Sequence, residues 1–437
     1  MDNRMTSNEN EQGYADLFAL GFGTTVGMWL AGYLCRLPAV MLPSQLVLAL
    51  MLLILLAGGY LSGRLTSRGW RGGVYTALTA ALLNLLILGS LLSGDSPNQV
   101  HPAALLWLPG WFLLAAALGL AGGVIGARKR SASVHPDWTG LLVVVGVAAT
   151  FLLIIVGGLV TSNDAGLAVV DWPNSFGYNM FLYPLSRMTG GIYYEHAHRL
   201  FGSLVGITTL VITFHLFRVD QRKWVKNFSL LVLAVVIAQG ILGGLRVTGK
   251  FTLATSPEEV APSLTLALVH GVLGQFFLGL MTVLAVVASN VWKKGRVPAV
   301  SGSRSIDRWL SGGMIFLVLF QVILGALQRH FAMGLTYHIL VASIVVMLAI
   351  TITVRTNAFY SGQHLIQRFG RWLSVVSGLQ ILLGLGALIA TLLHVQGEPY
   401  AAWETLIPTS HQAVGAILFS VSVGLWTWLW CETASGS

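Results

Sequence analysis

Twelve separate runs of about twenty apolar residues leave this chain very few ways to fold. A bilayer's hydrocarbon core is about 30 Å thick, and a helix needs roughly 20 apolar residues to cross it. There every backbone N–H and C=O must be paired inside the element, so each run reads as a helix. The runs fall near residues 15–35, 44–63, 72–94, 102–126, 140–162, 195–217, 227–248, 262–290, 309–330, 334–354, 371–393 and 406–430. Composition agrees: 9% of the 437 residues are charged and 55% hydrophobic, against about 25% charged in a soluble chain. A soluble globular enzyme and a disordered chain are both excluded. The net charge of +9 does not point to nucleic acid, because the basic residues sit in short clusters between apolar runs. Two cysteines, Cys35 and Cys431, make neither a disulfide framework nor a thiolate metal site. Glu9 and Glu11 precede the first run, unlike a cleavable signal peptide.

Lys and Arg set the expected orientation. With a cytoplasmic N-terminus, 19 of the 25 fall on the cytoplasmic side, and Arg36, Arg187, Arg199, Arg246, Lys250 and Arg329 on the other. Cytoplasmic loops carry the excess of positive charge, so both termini are expected inside. The run Arg128-Lys129-Arg130 and the polar stretch after it mark a boundary. Residues 1–130 hold four spans with hardly an ionisable group in their apolar parts. Eight spans follow.

Those eight contain a repeat. The second, fourth, sixth and eighth each carry one histidine with a small residue four positions on: His198 and Gly202, His270 and Gly274, His338 and Ala342, His411 and Gly415. Four residues is one helical turn, so each pair shares a face. The spacings are 72 (His198 to His270) and 73 (His338 to His411). Other spans carry Gln-x-x-x-Gly, as Gln239 to Gly243, Gln321 to Gly325 and Gln380 to Gly384; Gln239 and Gln380 each precede a histidine by 31 residues. An even number of spans per repeat makes the halves parallel repeats that enter the membrane in the same sense. The expected division is 1–130, 131–300 and 301–437. All four histidines are expected in the outer leaflet, His270 slightly deeper than the rest.

A lone intramembrane histidine is most simply a bond between helices, but four at equivalent positions ask for more. Imidazole ligates Zn, Cu or Fe. With no cysteine and one carboxylate near the set, zinc and di-metal carboxylate sites are poorly supported. Two opposed imidazoles per bundle beside a gap in the packing point to haem. His101, His135, His215, His364 and His394 fall in loops or near span ends and read as solvated. His196 lies opposite His198, and His330, beside Arg329, faces either a haem propionate or water. Glu195 shares a face with His198. It is either a carboxylate favoured by the helix start or one placed against a haem for chemistry. The stretch from Gly157-Gly158-Leu159-Val160 through Asp171-Trp172-Pro173 to Tyr194 contains a loop long enough to be functional, and an ordered lid is expected.

That loop, Glu195-x-x-His198-Arg199, Val269-His270-Gly271, Tyr337-His338 and Ser410-His411-Gln412 together resemble the haem A synthase family, over about residues 139–430. The resemblance implies an all-α polytopic membrane protein of two pseudo-symmetric four-helix bundles, here with about four extra N-terminal helices. It implies oxidation of the C8 methyl of haem O to a formyl group, giving haem A for cytochrome oxidase assembly. By position, His198, His270 and Arg199 would hold the substrate haem, with Glu195 the essential carboxylate beside it. His338 and His411 would ligate the iron of a permanent haem b that relays electrons. Haem O synthase and an electron donor are implied partners, and the inner (cytoplasmic) membrane the location.

Two features depart from that pattern. Many bacterial members carry a cysteine pair around the Asp-Trp-Pro; here Val169 and Ser175 stand nearby and the loop has no cysteine. Electron transfer through loop thiols therefore has no residues to use. The first 130 residues also lie outside the eight-helix pattern. A fused haem O synthase would need acidic clusters for Mg²⁺ and diphosphate, and residues 17–130 hold one acid, Asp95. A chain starting near Ser131 is thus expected to keep some haem A formation. Two rival readings remain. A di-haem b-type quinol oxidoreductase would typically set its haems in opposite leaflets and has no role for Glu195. A haem transporter or chaperone would hold its haem unchanged.

Overall fold

The computed structural model describes residues 14–94, 96–130, 136–248, 263–294, 304–395, 397–398 and 400–431. Arg4, Glu9, Glu11, Asp95, Ser131, His135, Lys250, Arg296 and the boundary at residues 300–301 lie outside the described residues. Among the described residues twelve helices are long and apolar enough to cross a membrane. They are α1 (Ala15–Arg36), α2 (Ser44–Leu65), α3 (Gly69–Leu88), α4 (Ala104–Arg128), α5 (Trp138–Ser162), α6 (Gly190–Val219), α7 (Lys223–Thr248), α8 (Leu264–Ala288), α9 (Arg304–Phe331), α10 (Leu335–Phe359), α11 (His364–Leu393) and α12 (Ala402–Leu429). The protein is an all-α polytopic membrane protein, and every expected span is present. Helices α6 and α12 begin several residues before their apolar runs, because the hydrogen-bonded ladder continues through polar and aromatic residues. His198 and His411 therefore sit further from the starts of their helices than His270 does.

The chain packs as two compact units, residues 1–153 with 167–233, and residues 154–166 with 234–437. In the first, α2, α3 and α4 approach almost backbone to backbone. A Cβ on Gly59 would lie 2.9 Å from the carbonyl oxygen of Gly119, and one on Gly123 2.9 Å from that of Trp70. Without a hydrophobic drive between helices in lipid, such small-residue seams let packing and dispersion hold the bundle. Helix α1 adds polar bonds: Trp29 Nε1 donates to the buried Asn84 Oδ1 at 3.0 Å, and Arg68 forms a partly buried pair with Asp16 at 2.7 Å. Its other face meets α6. Trp29 packs edge-on against Phe201 (centroids 5.3 Å), Tyr33 stacks on Tyr193 (5.4 Å), and the Tyr193 hydroxyl donates to the Tyr33 carbonyl at 2.6 Å.

In the second unit α9, α10, α11 and α12 close into a four-helix bundle, with α8 against α9 and α12. Its contiguous apolar core runs through Met314, Val318, Val345, Ala349, Ile352, Leu373, Val376, Phe419 and Val423. That end is also tied by polar bonds: Asp307 pairs with Arg355 at 2.6 Å and accepts from the Tyr360 hydroxyl at 3.0 Å. The core stops short of His338 and His411, which lie towards the opposite end of their helices.

Candidate haem sites

Glu195 stands in the second turn of α6, past the first-turn positions where the helix dipole alone would favour it. Its side chain is 5% exposed and that of Arg199 9%. One carboxylate oxygen pairs with Arg199 at 3.0 Å, and the other accepts from the Val169 N–H at 2.8 Å. The spacing of four residues places Glu195 and Arg199 on one face, so the pair follows directly from the sequence. Arg199 also donates to the carbonyls of Asp171 (2.6 Å), Asn174 (2.9 Å) and Val169 (2.6 Å). One guanidinium and one carboxylate thus fix the preceding loop onto α6.

The loop itself folds. Strands β1 (Asn174–Ser175) and β2 (Tyr178–Asn179) pair antiparallel around Phe176 and Gly177, whose φ angles are 52° and 77°. Two positive φ angles are what a tight mirror-image hairpin turn requires. Asp171 holds it, its carboxylate accepting from Phe176 N at 2.6 Å and Gly177 N at 2.8 Å. His196, on the other side of α6 from His198, is fully buried; its Nδ1 lies 3.1 Å from Ser175 Oγ, and its ring 5.0 Å from that of Tyr183. Burial raises the Tyr183 phenol above its ordinary pKa. Asn98 reaches the hairpin from the loop before α4, accepting from Asn179 N at 2.7 Å and donating to Gly177 O at 3.3 Å. Sequence reasoning missed these tethers, although Asp-Trp-Pro-Asn-Ser-Phe-Gly carries the turn signals.

His338 and His411 come together in the second unit. Their ring centroids are 6.2 Å apart and their planes lie at 75°. Two imidazoles sharing one metal ion through bonds of about 2 Å, with about 1 Å from nitrogen to ring centre on each side, would have centroids up to about 6 Å apart. Each ring keeps a buried Nδ1 with no hydrogen bond of normal geometry. Two imidazoles at this distance form a donor set that could hold one metal ion, haem iron among them. His198 and His270 belong to different units. Among the described residues no group of three or more His, Cys, Asp or Glu is placed to hold a metal ion.

The remaining histidines separate. His215 is buried, 3.0 Å from Thr139 Oγ1, a correction to its reading as solvated; it lies within α6, which runs on to Val219. His394 stacks on Tyr400 at 4.1 Å and lies 3.5 Å from Glu404. His364 opens α11, and His101 Nδ1 accepts from Ala103 N.

Residues 138–340 match the family model described as cytochrome oxidase assembly protein, COX15-CtaA. That segment contains Glu195, His198, Arg199, His270 and His338, and ends before His411. That segment, a little under half of the chain, is similar to this family. Among curated relatives, haem A synthase of Listeria monocytogenes is 30% identical over 143 residues, 32% of this chain and 41% of that protein. Haem A synthase of a Caulobacter species is 26% identical over 221 residues, 43% of this chain and 59% of that protein. A protohaem IX farnesyltransferase of Haloarcula marismortui is 29% identical over 143 residues, 33% of this chain and 28% of that protein. The chain thus covers less than two thirds of the length of each of these three relatives.

Proposed function

We propose that the protein is a haem A synthase, oxidising the C8 methyl of haem O to a formyl group. With dioxygen as the oxidant and two electrons from the donor in each round, the methyl gains one hydroxyl and then a second, the other oxygen atom leaving as water each time, and the gem-diol loses water to leave the aldehyde. The observation that carries this reading is the buried Glu195–Arg199 pair, one helical turn from His198 and inside the family segment. An electron-transfer cytochrome has no use for a buried carboxylate there.

In this reading His198 and His270 ligate the substrate haem. Arg199 serves the substrate site by holding the loop and Glu195 beside it. Glu195 acts at the methyl, taking a proton or stabilising positive charge, a contribution on the order of 10²–10⁴ in rate. His338 and His411 hold haem b, which when bound supplies one-electron relay. A haem O synthase supplies the substrate, and an electron donor completes the system in the inner membrane.

Extracting the cofactors from protein purified from cells making haem O, and identifying them by mass, tests the reading. Haem b with haem O or haem A is expected. Haem b alone would favour a di-haem cytochrome, and unchanged recovery of whichever haem is supplied would favour a carrier.

A further inference from the structure

Three glutamines meet three histidines in the second unit, two of them through the same hydrogen bond. Gln239 Nε2 donates to the His270 carbonyl at 2.6 Å, and Gln321 Nε2 to the His338 carbonyl at 2.9 Å. At the third pair Gln380 Nε2 lies 3.4 Å from His411 Nε2. The glycine four residues after each glutamine makes room for the ring. A Cβ there would meet imidazole Cε1 at 3.2 Å on Gly243, 3.3 Å on Gly325 and 3.0 Å on Gly384. The small residue after the histidine does the reciprocal job: a Cβ on Gly274 would meet Gln239 Nε2 at 3.0 Å, and one on Gly415 would meet Gln380 Nε2 at 3.2 Å.

An imidazole that gives one nitrogen to a metal must donate the N–H of the other, and that second bond fixes the ring's direction. A Gln-x-x-x-Gly turn offers a backbone carbonyl for that bond, a bare glycine that the Cε1 edge of the ring approaches, and, at Gln239 and Gln321, an amide that ties the two helices in register. We infer that Gln321 with Gly325, and Gln380 with Gly384, are positioning residues that aim the His338 and His411 imidazoles at a shared haem iron. Gln239 with Gly243 does the same for His270. Helix α5, which precedes α6, contains no glutamine, so His198 is placed without this device. The inference rests on the proposed haem b site.

The test uses the full-length, haem-loaded protein. Gly384→Ala and Gly325→Ala push a methyl into the ring, and Gln321→Leu removes the amide. Gly378→Ala is the control, because a Cβ there meets nothing within 4 Å. Removing an outer-shell partner of a metal-bound histidine typically costs about 10–100-fold in affinity, and a loss of that order in haem b retention is expected for Gln321→Leu. The alanine variants should shift the midpoint potential of haem b and alter the anisotropy of its low-spin EPR signal, which follows the angle between the imidazole planes. Gly378→Ala should move neither. Variants that lose thermal stability while potential and EPR signal stay at wild-type values would reduce the glutamines to helix glue and overturn the inference. Wild-type protein without low-spin haem would sink the functional reading itself, a separate outcome visible before any variant is made.

Discussion

Glu195 is held from two sides, by a guanidinium and by a backbone N–H, and substitution has to be weighed against both. Glu195→Gln keeps an oxygen for the Val169 N–H but loses the charge facing Arg199. Breaking a buried ion pair commonly costs about 3–5 kcal/mol because a charge is left uncompensated. Here Arg199 retains three carbonyl acceptors, so the loss should be smaller and the variant should fold. The expected result is normal haem binding with accumulation of haem O or its hydroxylated intermediate, read by extraction and mass. Full haem A production would reduce Glu195 to a loop clamp. At the other site, His338→Ala or His411→Ala should abolish the low-spin bis-imidazole absorption of haem b. His364→Ala, at the start of α11, should leave it intact. Normal haem b content in His411→Ala would remove that assignment. The titratable members of both sites are legible in the sequence because spacing puts them on shared helix faces. The partners of Arg199 are not, since three of the four are backbone carbonyls and carry no residue signature.

At the scale of elements, the first four helices are more than an appendage. The sequence marks residues 1–130 as poor in ionisable groups and therefore separable, whereas α1 packs on the helix that carries Glu195 and His198. Aromatic pairs are worth about 0.5–1.5 kcal/mol each beyond their burial; three such pairs and the Tyr193–Tyr33 hydrogen bond join α1 to α6. A chain beginning at Ser131 would expose Tyr193 and Phe201. Lower thermal stability and lower occupancy by the substrate haem are expected, in place of the retained activity that the sequence suggests. A truncated protein with wild-type stability and product yield would show the packing to be dispensable. Asn98 offers a finer test. Its two bonds to the hairpin are worth about 0.5–1.5 kcal/mol each, so Asn98→Ala should speed hydrogen exchange at Asn179 without altering haem b. Unchanged exchange there would mean that Asp171 and Arg199 hold the hairpin unaided. The helices themselves were legible because hydropathy reports them directly. This brace was not, because Trp29 and Tyr33 look like any aromatic residues of a span until α6 is set beside them.

For the molecule as a whole, the orientation in the membrane decides which compartment the hairpin faces. If the twelve apolar helices among the described residues all cross, the chain returns to its starting side, and 19 of the 25 basic residues fall on that side when the N-terminus is cytoplasmic. The loop carrying the hairpin then faces outward and the turn between α10 and α11 faces the cytoplasm. Cysteine labelling can test this because both native cysteines, Cys35 and Cys431, are buried and give little background with a membrane-impermeant reagent. Asn174 and Ser361 are both exposed. Asn174→Cys should be labelled in intact cells, and Ser361→Cys only after the membrane is opened. The Asn174 carbonyl that accepts from Arg199 survives the substitution, so the hairpin should persist. The reverse labelling pattern would put Glu195 and His198 on the cytoplasmic side. It would also mean that the charge bias had failed across the whole chain or that one of the first five helices does not cross, whereas an error in a span between the two sites would leave both introduced cysteines accessible from the same side.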